Sequence, residues 1–555
     1  MAIDLPPALP PVLTSSQQIS SFSEVSLPYA RKLGQYEIRL TGNHGLSAGE
    51  LDALFVKAQT PSQLILMINS ASYNNGNLLV RLLYSAPANN VVYLHAVQMR
   101  VGEIRGNEVV KRHFKDLAGD VDLTREEFST RQVLADIQSE RSGLDYSVSY
   151  EASPERPDAL DLVFNQTADA EHDATDFIVQ LGNQGSRFAG RYFLDLGFKH
   201  DFSSGFQLSG GYEHAISDWG ESRDGEDYHQ FQLKLDKAYS FGLYGIEGRH
   251  SQYVRDLGVI SVPSTACVVP SGFGGLLCLP TASSTQRDVE LDAEIDQLAI
   301  TGNQVISSDI DHRFTLSQRL DYTDSLIDSN IDQVVQDERY ATLEVGATYH
   351  KAKQHRENLL NWKLGAAIKG GISGDKGTLG TDSQSAGVAV GKRTAEFVVI
   401  KPKAEAIYAF SANSNFRLAL NAQLSDEQLP QQQQWVLGGV DRLSAYLPGV
   451  LVGDSGYHAD LSFNHTWKLG DFSLAGGVFA EYGAAQYENA SGALGSVDLG
   501  DQSSIADAGI RATLSAWDWL EVRAVIAESL SEDNVDEAAL DRAEADFFVV
   551  VKAIF

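Results

Sequence analysis

From about residue 173 to its end, the chain alternates apolar and polar residues with a period of two. One such segment places Phe231, Leu233 and Leu235 on one face, and Gln232, Lys234 and Asp236 on the other. This period is typical of β-strands, and a charged face is too polar for the dry core of a sandwich. A lipid-facing wall around an aqueous lumen explains both faces, so the pattern predicts a membrane β-barrel.

The segments of this kind number about sixteen, with short and long connections between them in turn. Their centres lie near residues 178, 195, 210, 232, 247, 295, 316, 344, 365, 402, 420, 462, 479, 509, 524 and 551. The long connections span roughly 254–287, 373–393, 428–455, 487–502 and 530–545. Because outer-membrane barrels have short turns on one side and long loops on the other, we expect a 16-stranded antiparallel transmembrane barrel over residues 171–555.

The N-terminal part has a different texture. Residues 1–35 are rich in Pro and Ser and predict an irregular arm. Residues 36–107 predict the order strand, helix, helix, strand, strand, with Ser47 as a helix N-cap and Glu50 three residues later. Residues 108–170 predict a second small α+β unit with an amphipathic helix over 124–140. The fold class is therefore mainly β, with two α+β units before the barrel.

Composition narrows the function classes. Acidic residues outnumber basic ones by 74 to 43, which gives a net charge of −31 and argues against a nucleic-acid partner. The chain has no apolar run of about 18 residues, so a helical membrane protein is excluded. Its first residues lack the basic start and apolar core of a signal peptide, and we expect that such a signal precedes this numbering.

The two cysteines, Cys267 and Cys278, lie in a stretch rich in Gly, Ser and Pro. They could close a small surface disulfide, which would imply an oxidising compartment. The alternative is a pair of free thiols. Two thiols without a nearby pair of histidines do not make a structural zinc site, and no metal site is expected elsewhere.

The segment 434–463 contains a more specific pattern. It resembles the large inward loop of the outer-membrane superfamily that combines POTRA domains with a barrel and includes two-partner secretion transporters of the TpsB (haemolysin and haemagglutinin secretion-activation) type. In that family a Gly-Gly pair is followed by V-R-G-[YF] and then by a Gly-Asp-x-Gly-[YF] run that leads into the next strand. The matching residues here are Gly438, Gly439, Tyr446, Gly453, Asp454, Gly456 and Tyr457.

The chain departs from this pattern at the arginine. Leu443, Ser444 and Ala445 stand where the family has V-R-G, and the nearest arginine is Arg442. The family arginine usually meets an acid in an F-x-D-x-G segment, and the corresponding acid here is Glu481. Because an Arg–carboxylate pair forms strong directional hydrogen bonds, we expect Arg442 to pair with Glu481. The alternative is a loop held by other contacts, with Arg442 in solvent.

The resemblance extends over nearly everything after residue 36. It implies that the α+β units are POTRA domains in the periplasm, with Gly102–Asn107 as the closing strand of the first. The final strand ends at Phe555, which looks like the signal that the barrel assembly machinery recognises. Many family members carry a plug helix in the barrel, but residues 3–30 show no sustained helical face.

The implied function is secretion of an unfolded exoprotein across the bacterial outer membrane. Lipopolysaccharide would surround the barrel, and a monomer is the expected state because a closed barrel has no free edge. No cofactor is implied: the segment 387–392 is one residue too short for a phosphate-binding loop and is followed by Arg393 instead of Ser or Thr. The POTRA candidates for cargo binding are the strand near 79–86 and the helices near 62–72 and 124–140.

Other functions remain open. Gly453–Gly456 also spells a protease-like GDSG, but a serine nucleophile needs a His base held by an acid, and no histidine stands in that context. An enzyme is therefore not expected. The nearest rival is an assembly factor for barrel proteins or surface lipoproteins within the same superfamily. A rival of another class is a passive porin or adhesin, which would have the wall without the α+β units.

Overall fold

The structure of the chain is a computed structural model. It describes residues 5–25, 28–185, 190–216, 227–268, 279–330, 333–356, 358–374, 393–490, 493–494, 497–498 and 500–555. Two small α+β units precede a closed antiparallel barrel of sixteen strands, which confirms the predicted fold class. Within the described residues, none of the helices is both long enough and apolar enough to span a bilayer.

The first α+β unit has a five-stranded sheet in the order β1-β4-β5-β3-β2. Its elements are β1 (Val12–Thr14), α1 (Ser16–Val25), β2 (Tyr29–Leu33), β3 (Tyr36–Gly42), α2 (Ala48–Lys57), α3 (Pro61–Asn74), β4 (Val80–Ser85) and β5 (Val91–Gln98). From β3 to β5 this is the predicted order. The Ser47 hydroxyl accepts from the Glu50 N–H and the Glu50 carboxylate accepts from the Ser47 N–H, so α2 begins with the expected capping box.

The sequence predicts an irregular N-terminal arm, and this prediction is wrong. Strand β2 of the arm pairs antiparallel with β3, and its strand β1 pairs in parallel with the edge strand β4. Ile19 of α1 is buried, and Leu9 is buried in the apolar cluster that also holds Leu78 and Phe114. Four of the arm's five prolines lie before β1, where they leave its backbone donors intact, and Pro28 lies just before β2. Packing against β3, β4 and β5 stabilises the short helix α1.

The second unit has a three-stranded sheet in the order β6-β8-β7. Its elements are β6 (Arg100–Arg105), α4 (Glu108–Lys111), a 3₁₀ turn (Lys115–Leu117), α5 (Arg125–Arg141), β7 (Leu144–Ala152) and β8 (Ala159–Ala168). The segment Gly102–Asn107 was expected to close the first unit, but β6 pairs with β8 and belongs to the second sheet. A strand's alternation predicts that it pairs, not which sheet it joins.

The barrel strands lie between β9 and β28. Its strands are β9 (Thr175–Gly182), β10 (Tyr192–Asp201), β11 (Phe206–Ile216), β12 (Asp227–Tyr239), β13 (Gly242–Val268), β14 (Leu279–Ser308), β15 (His312–Ser329), β16 (Gln333–His355), β17 (Asn358–Gly374), β18 (Val398–Ser411), β19 (Ser414–Ser425), β22 (Ser455–Leu469), β23 (Phe472–Gln486), β26 (Ser503–Ala516), β27 (Leu520–Asp533) and β28 (Phe548–Ile554). All the predicted strand centres fall within these bounds. The last strand pairs with the first, from Val550 opposite Gly182 to Ile554 opposite Ile178. Two other pairs of described strands fall in this range: β20 (Trp435–Leu437) with β21 (Leu451–Gly453), in the connection between β19 and β22, and β24 (Ala493–Leu494) with β25 (Val497–Asp498), in the connection between β23 and β26.

The two faces of the wall are those predicted. Phe231, Leu233 and Leu235 of β12 are exposed on the outside, whereas Asp236 is 3% exposed on the inner side. An apolar outer surface and a polar inner surface are what lipid on one side and water on the other require.

The expected long loop at 254–287 is largely a two-stranded ribbon. Strands β13 and β14 remain paired from Leu243 opposite Asn303 to Val268 opposite Leu279, with one irregularity between Asp256 and Val259. Backbone hydrogen bonds extend the ladder even where the sequence no longer alternates. Cys278 and residues 375–392 lie outside the described residues, as does the side chain of Cys267, so the disulfide stays a prediction.

Helix α5 of the second unit docks on the barrel rim. The Arg125 guanidinium contacts both carboxylate oxygens of Asp309 at 2.5 and 2.9 Å, in the turn between β14 and β15. At the other end of the helix, Arg141 lies 2.5 Å from Asp236, and both side chains are buried. Gln138 donates to the Ser204 carbonyl at 3.3 Å. These contacts attach the second unit to the short-turn end of the barrel.

Candidate functional site: the lumen loop

The segment between β19 and β22 folds back inside the barrel. Strands β20 (Trp435–Leu437) and β21 (Leu451–Gly453) form a hairpin in which Trp435 lies opposite Gly453. Leu437 and Leu443 are fully buried. They pack with inward-facing residues of β23, β26, β27 and β28, namely Phe479, Ile505, Val525 and Phe548. The predicted lumen loop is therefore held against the C-terminal quarter of the wall.

The glycine pair makes the turn that directly follows β20. Gly438 and Gly439 have φ values of +110° and +93°. The Gly438 N–H donates to the Arg442 carbonyl at 2.7 Å, and the Gly439 N–H donates to the Tyr446 carbonyl at 2.6 Å. A Cβ on Gly438 would lie 2.1 Å from the Leu447 carbonyl oxygen. This turn therefore requires glycine at 438 for space as well as for φ.

Three acids form a row on the inner wall. Asp460 of β22 lies opposite Glu481 of β23, and Glu481 lies opposite Asp507 of β26. All three are nearly completely buried. Since directly opposed residues share one face of a sheet, their carboxylates point together into the lumen.

The tip of the loop binds this row through its backbone. Ser444 donates both its N–H and its hydroxyl to the same oxygen of Glu481, each at 2.9 Å. The next residue, Ala445, donates its N–H to Asp507 at 2.9 Å. Because the two backbone donors are adjacent and bond two different side chains of the wall, they fix both the position and the orientation of this part of the loop.

The wall itself supplies the cations. Arg511 of β26 lies 2.5 Å from Asp460 and 3.9 Å from Glu481, and its guanidinium stacks over the Phe479 ring at 4.2 Å. Arg417 of β19 reaches the other oxygen of Asp460 at 3.2 Å. Two wall arginines therefore share the acid row and offset the burial of its negative charge.

The predicted pair of Arg442 with Glu481 is not what the structure shows. The Arg442 guanidinium lies 4.9 Å from the centre of the Trp435 ring, at the base of the hairpin. Burial lowers the pKa of Arg442 from its ordinary value. The tight turn directs residue 442 back towards the start of the loop, so Ser444 meets Glu481 in its place. The cation near Glu481 comes from Arg511.

The second half of the family-like pattern closes the loop. Asp454 is fully buried, and its two carboxylate oxygens accept from the N–H of Leu429 at 2.9 Å and of Glu488 at 3.0 Å. A Cβ on Gly456 would lie 2.2 Å from the Trp435 ring. Asp454 thus ties both ends of the loop to the chain that follows β23, and Gly456 lets the hairpin pack closely.

Tyr446 and Tyr457 have different surroundings. The Tyr446 hydroxyl donates to Glu532 at 2.5 Å, and burial followed by this hydrogen bond raises the pKa of Tyr446. Tyr457 instead lies on the outer face, 39% exposed, with its ring 5.8 Å from that of Tyr482. Only the first of the two aromatic residues takes part in holding the loop.

A second segment of the chain packs against the loop. Helix α6 (Glu537–Ala543) lies between β27 and β28, in a segment predicted only as a long connection. The Leu447 N–H donates to the Ala543 carbonyl at 2.7 Å, and the Ala545 N–H donates to the Ala445 carbonyl at 2.9 Å. The tip is therefore enclosed between the wall and this segment.

Sequence reasoning identified Glu481 but missed Asp460, Asp507 and Arg511 as members of the site. Each of these lies at a polar position of an alternating strand, which indicates that it faces the lumen. Their meeting depends on strand register, which alternation does not specify.

The C-terminal residue lies at the closure of the barrel. Phe555 exchanges backbone hydrogen bonds with Phe177 at 2.8 and 2.9 Å, and its ring lies 5.9 Å from that of Trp519. Phe555 is 64% exposed. Its role as an assembly signal stays a prediction.

Neither a protein-family model nor a curated protein sequence matches the chain. Among solved structures, CdiB from Escherichia coli matches with a TM-score of 0.65 at 12% identity, over 98% of this chain and 96% of that one. The chain has the CdiB fold. CdiB from Acinetobacter baumannii matches with a TM-score of 0.57 at 13% identity, over 93% and 89% of the two chains. The CdiB fold thus accounts for the α+β units together with the barrel.

Proposed function

We propose that the chain is an outer-membrane pore that captures an unfolded exoprotein in the periplasm and secretes it through its barrel, as in two-partner secretion. The two α+β units act as POTRA domains, and the barrel lies in the outer membrane surrounded by lipopolysaccharide. A monomer suffices because the barrel closes on itself. Its biogenesis uses the barrel assembly machinery, with Phe555 in the recognised strand.

The observation that carries this proposal is the attachment of the lumen loop to the acid row. The loop is held by directional hydrogen bonds from Ser444 and Ala445 and by an apolar cluster on one side of the lumen. A polypeptide that passes through the barrel requires this loop to move. A passive porin needs no such releasable element, so the loop favours a protein-conducting pore.

The capture surface we propose is the edge of β7 in the second unit. Within the described residues β7 pairs only with β8, so its other edge offers a row of backbone donors and acceptors. The first-unit candidate, the strand near 79–86, is less suitable since β1 covers the end of β4 from Leu83 to Ser85. An extended chain binds such an edge by strand addition, with little demand on its own sequence.

The docked helix α5 places this edge beside the short-turn end of the barrel. Its contacts with Asp309 and Asp236 hold the second unit near the lumen opening. The face of α5 that meets the rim is therefore occupied, and α5 itself is a poor cargo site. The energy for export comes from folding of the exoprotein outside the cell and not from nucleotide hydrolysis.

The test compares the bacterium that makes this chain with a strain lacking it. Quantitative mass spectrometry of the culture medium is expected to show the loss of one or a few proteins, which accumulate in the periplasm. An unchanged medium with an outer membrane depleted of barrel proteins or surface lipoproteins would contradict secretion and support an assembly factor. If neither fraction changes, the passive porin or adhesin is supported instead.

A second measurement examines the loop directly. Planar-bilayer conductance of the purified protein is compared with that of a variant lacking residues 435–453. Wider or less stable channels in the variant support the loop as the element that closes the pore. Equal conductance in both proteins would contradict that role.

A further inference from the structure

A pair of histidines lies face to face on the outer surface of the barrel. His214 of β11 is directly opposite His229 of β12 in the strand register. Their rings are stacked, with centroids 4.6 Å apart and an angle of 11° between the planes. Both lie near the ends of their strands that point away from the α+β units, above the apolar positions Phe231 and Leu233.

An acid completes the group. Asp227 lies two residues before His229 on the same strand face, and its carboxylate is 2.7 Å from the His229 Nε2 atom. One potential ligand atom from each of the three side chains lies within 4.8 Å of the others. Ligands of one tetrahedral zinc lie about 3.3 Å apart, so small side-chain rotations bring these three atoms to bonding distance.

The other ring nitrogens are already held. His214 Nδ1 lies 3.3 Å from the Tyr228 backbone carbonyl, to which it can only donate. His229 Nδ1 lies 2.7 Å from the Tyr212 hydroxyl. On binding, the metal would replace the proton of His229 Nε2 that faces Asp227, and Nδ1 would then carry a proton and donate to its partner, a second hydrogen bond that is typical of histidine ligands.

We propose that His214, His229 and Asp227 form a binding site for one zinc ion, or another divalent transition-metal ion that prefers imidazole, on the outer face of the barrel. Two imidazoles and one carboxylate supply three ligands, and water takes the fourth position. Hard cations such as Ca²⁺ and Mg²⁺ prefer oxygen ligands and are not expected to bind here. The ion would join the ends of β11 and β12.

The sequence did not predict a metal site, because the two histidines are separated along the chain and show no ligand spacing. Their meeting is a consequence of antiparallel register, as for the acid row in the lumen. The site does not depend on secretion: it would be present in a transporter, an assembly factor or a porin of this structure.

The test uses the full-length protein in detergent, purified without a histidine tag. Zinc chloride is titrated by calorimetry, and cobalt chloride by visible absorption, for the wild type and for His214→Ala, His229→Ala and His465→Ala. His465 is the control since it also lies on the outer face, in phase with the exposed Leu461 and Trp467, and belongs to none of the groups of potential metal ligands among the described residues. We expect the first two substitutions to weaken binding by at least about tenfold and His465→Ala to leave it unchanged.

Tyr212→Phe provides an independent check, because it removes the partner of His229 Nδ1 without removing a ligand. It is expected to weaken zinc binding by about tenfold. Gel electrophoresis of unheated and heated samples checks the folding of each variant, because a folded barrel migrates differently from the unfolded chain. Absence of zinc binding by the wild type, or equal loss in all three histidine variants, would overturn the proposal.

Discussion

Ser444 donates its backbone N–H and its hydroxyl to one oxygen of Glu481, each at 2.9 Å. The contact joins the tip of a long loop to a buried acid of the barrel wall. It also shows how the loop is held without an arginine at this position: a serine supplies two hydrogen bonds, and Arg511 of the wall supplies the charge.

Removal of the Ser444 hydroxyl should loosen the loop. Ser444→Ala loses one of the two hydrogen bonds to Glu481, which costs about 1 kcal/mol. We therefore expect the fraction of time in a wider conductance state to rise about fivefold in planar bilayers. Ser473→Ala is the control, since Ser473 lies on the same face of β23 as Glu481 but near the other end of that strand. An equal change in both variants would argue against a specific anchor.

Arg511 and Arg523 should contribute unequally to the free energy of unfolding of the barrel. Arg511→Ala leaves Asp460 and Glu481 buried near less positive charge, and we expect it to destabilise the barrel by about 3 kcal/mol. Arg523→Ala breaks a contact with Asp441, whose side chain is 74% exposed, and should cost less than about 1 kcal/mol. Urea unfolding in detergent measures both. Similar losses for the two variants would contradict the buried acid row.

Asn183 should matter for barrel closure. Its side chain accepts from the Val549 N–H at 2.6 Å and donates to the Phe547 carbonyl at 2.9 Å, beside the pairing of β9 with β28. Asn183→Ala is expected to lose about 1–3 kcal/mol and to lower the temperature at which the barrel unfolds on gels. Gln184→Ala, at the next position, is the control. An unchanged unfolding temperature for Asn183→Ala would show that the backbone pairs alone hold the closure.

The second α+β unit should weaken in acid. Burial lowers the pKa of His113 to about 4 from its ordinary 6.5. The unfolded unit thus takes up a proton first, so stability is complete above about pH 6.5 and falls as the pH drops towards 4. Hydrogen exchange of α5 amides between pH 7 and pH 4.5 measures this.

A control variant isolates the contribution of that histidine. His113 Nε2 lies 3.2 Å from Gln138 Oε1, on the residue that also binds the barrel turn at Ser204. His113→Gln removes the titrating group and should reduce the pH dependence of exchange in α5. If the exchange of α5 amides depends on pH equally in the wild type and the variant, groups other than His113 cause the loss of stability in acid.

Sequence periodicity was sufficient for the architecture and insufficient for the contacts. Alternation marks each barrel strand because lipid and water impose opposite demands on its two faces, as at Leu233 and Lys234. The role of Arg442 could not be predicted in the same way. It depends on the direction in which the turn at Gly438 sends the chain, and on Arg511 reaching Glu481 from another strand.

The N-terminal arm shows the same limit. Its short strand β1 has no distinctive pattern, and it forms because the edge of β4 offers it unpaired backbone groups. The assignment of β6 to the second sheet also follows from packing and not from its own residues. Elements defined by a neighbour are the ones that local sequence predicts least well.

The β13–β14 ribbon limits how closely large particles can approach the barrel. Its paired backbone continues from Val254, which lies opposite Asp227 at the end of β12, to Val268. At about 3.3 Å per residue, this extension measures on the order of 40 Å along the strands. If the short turns face the periplasm, an antibody, a phage or a neighbouring cell would meet the ribbon well before the pore, and an epitope inserted there would remain visible on intact bacteria.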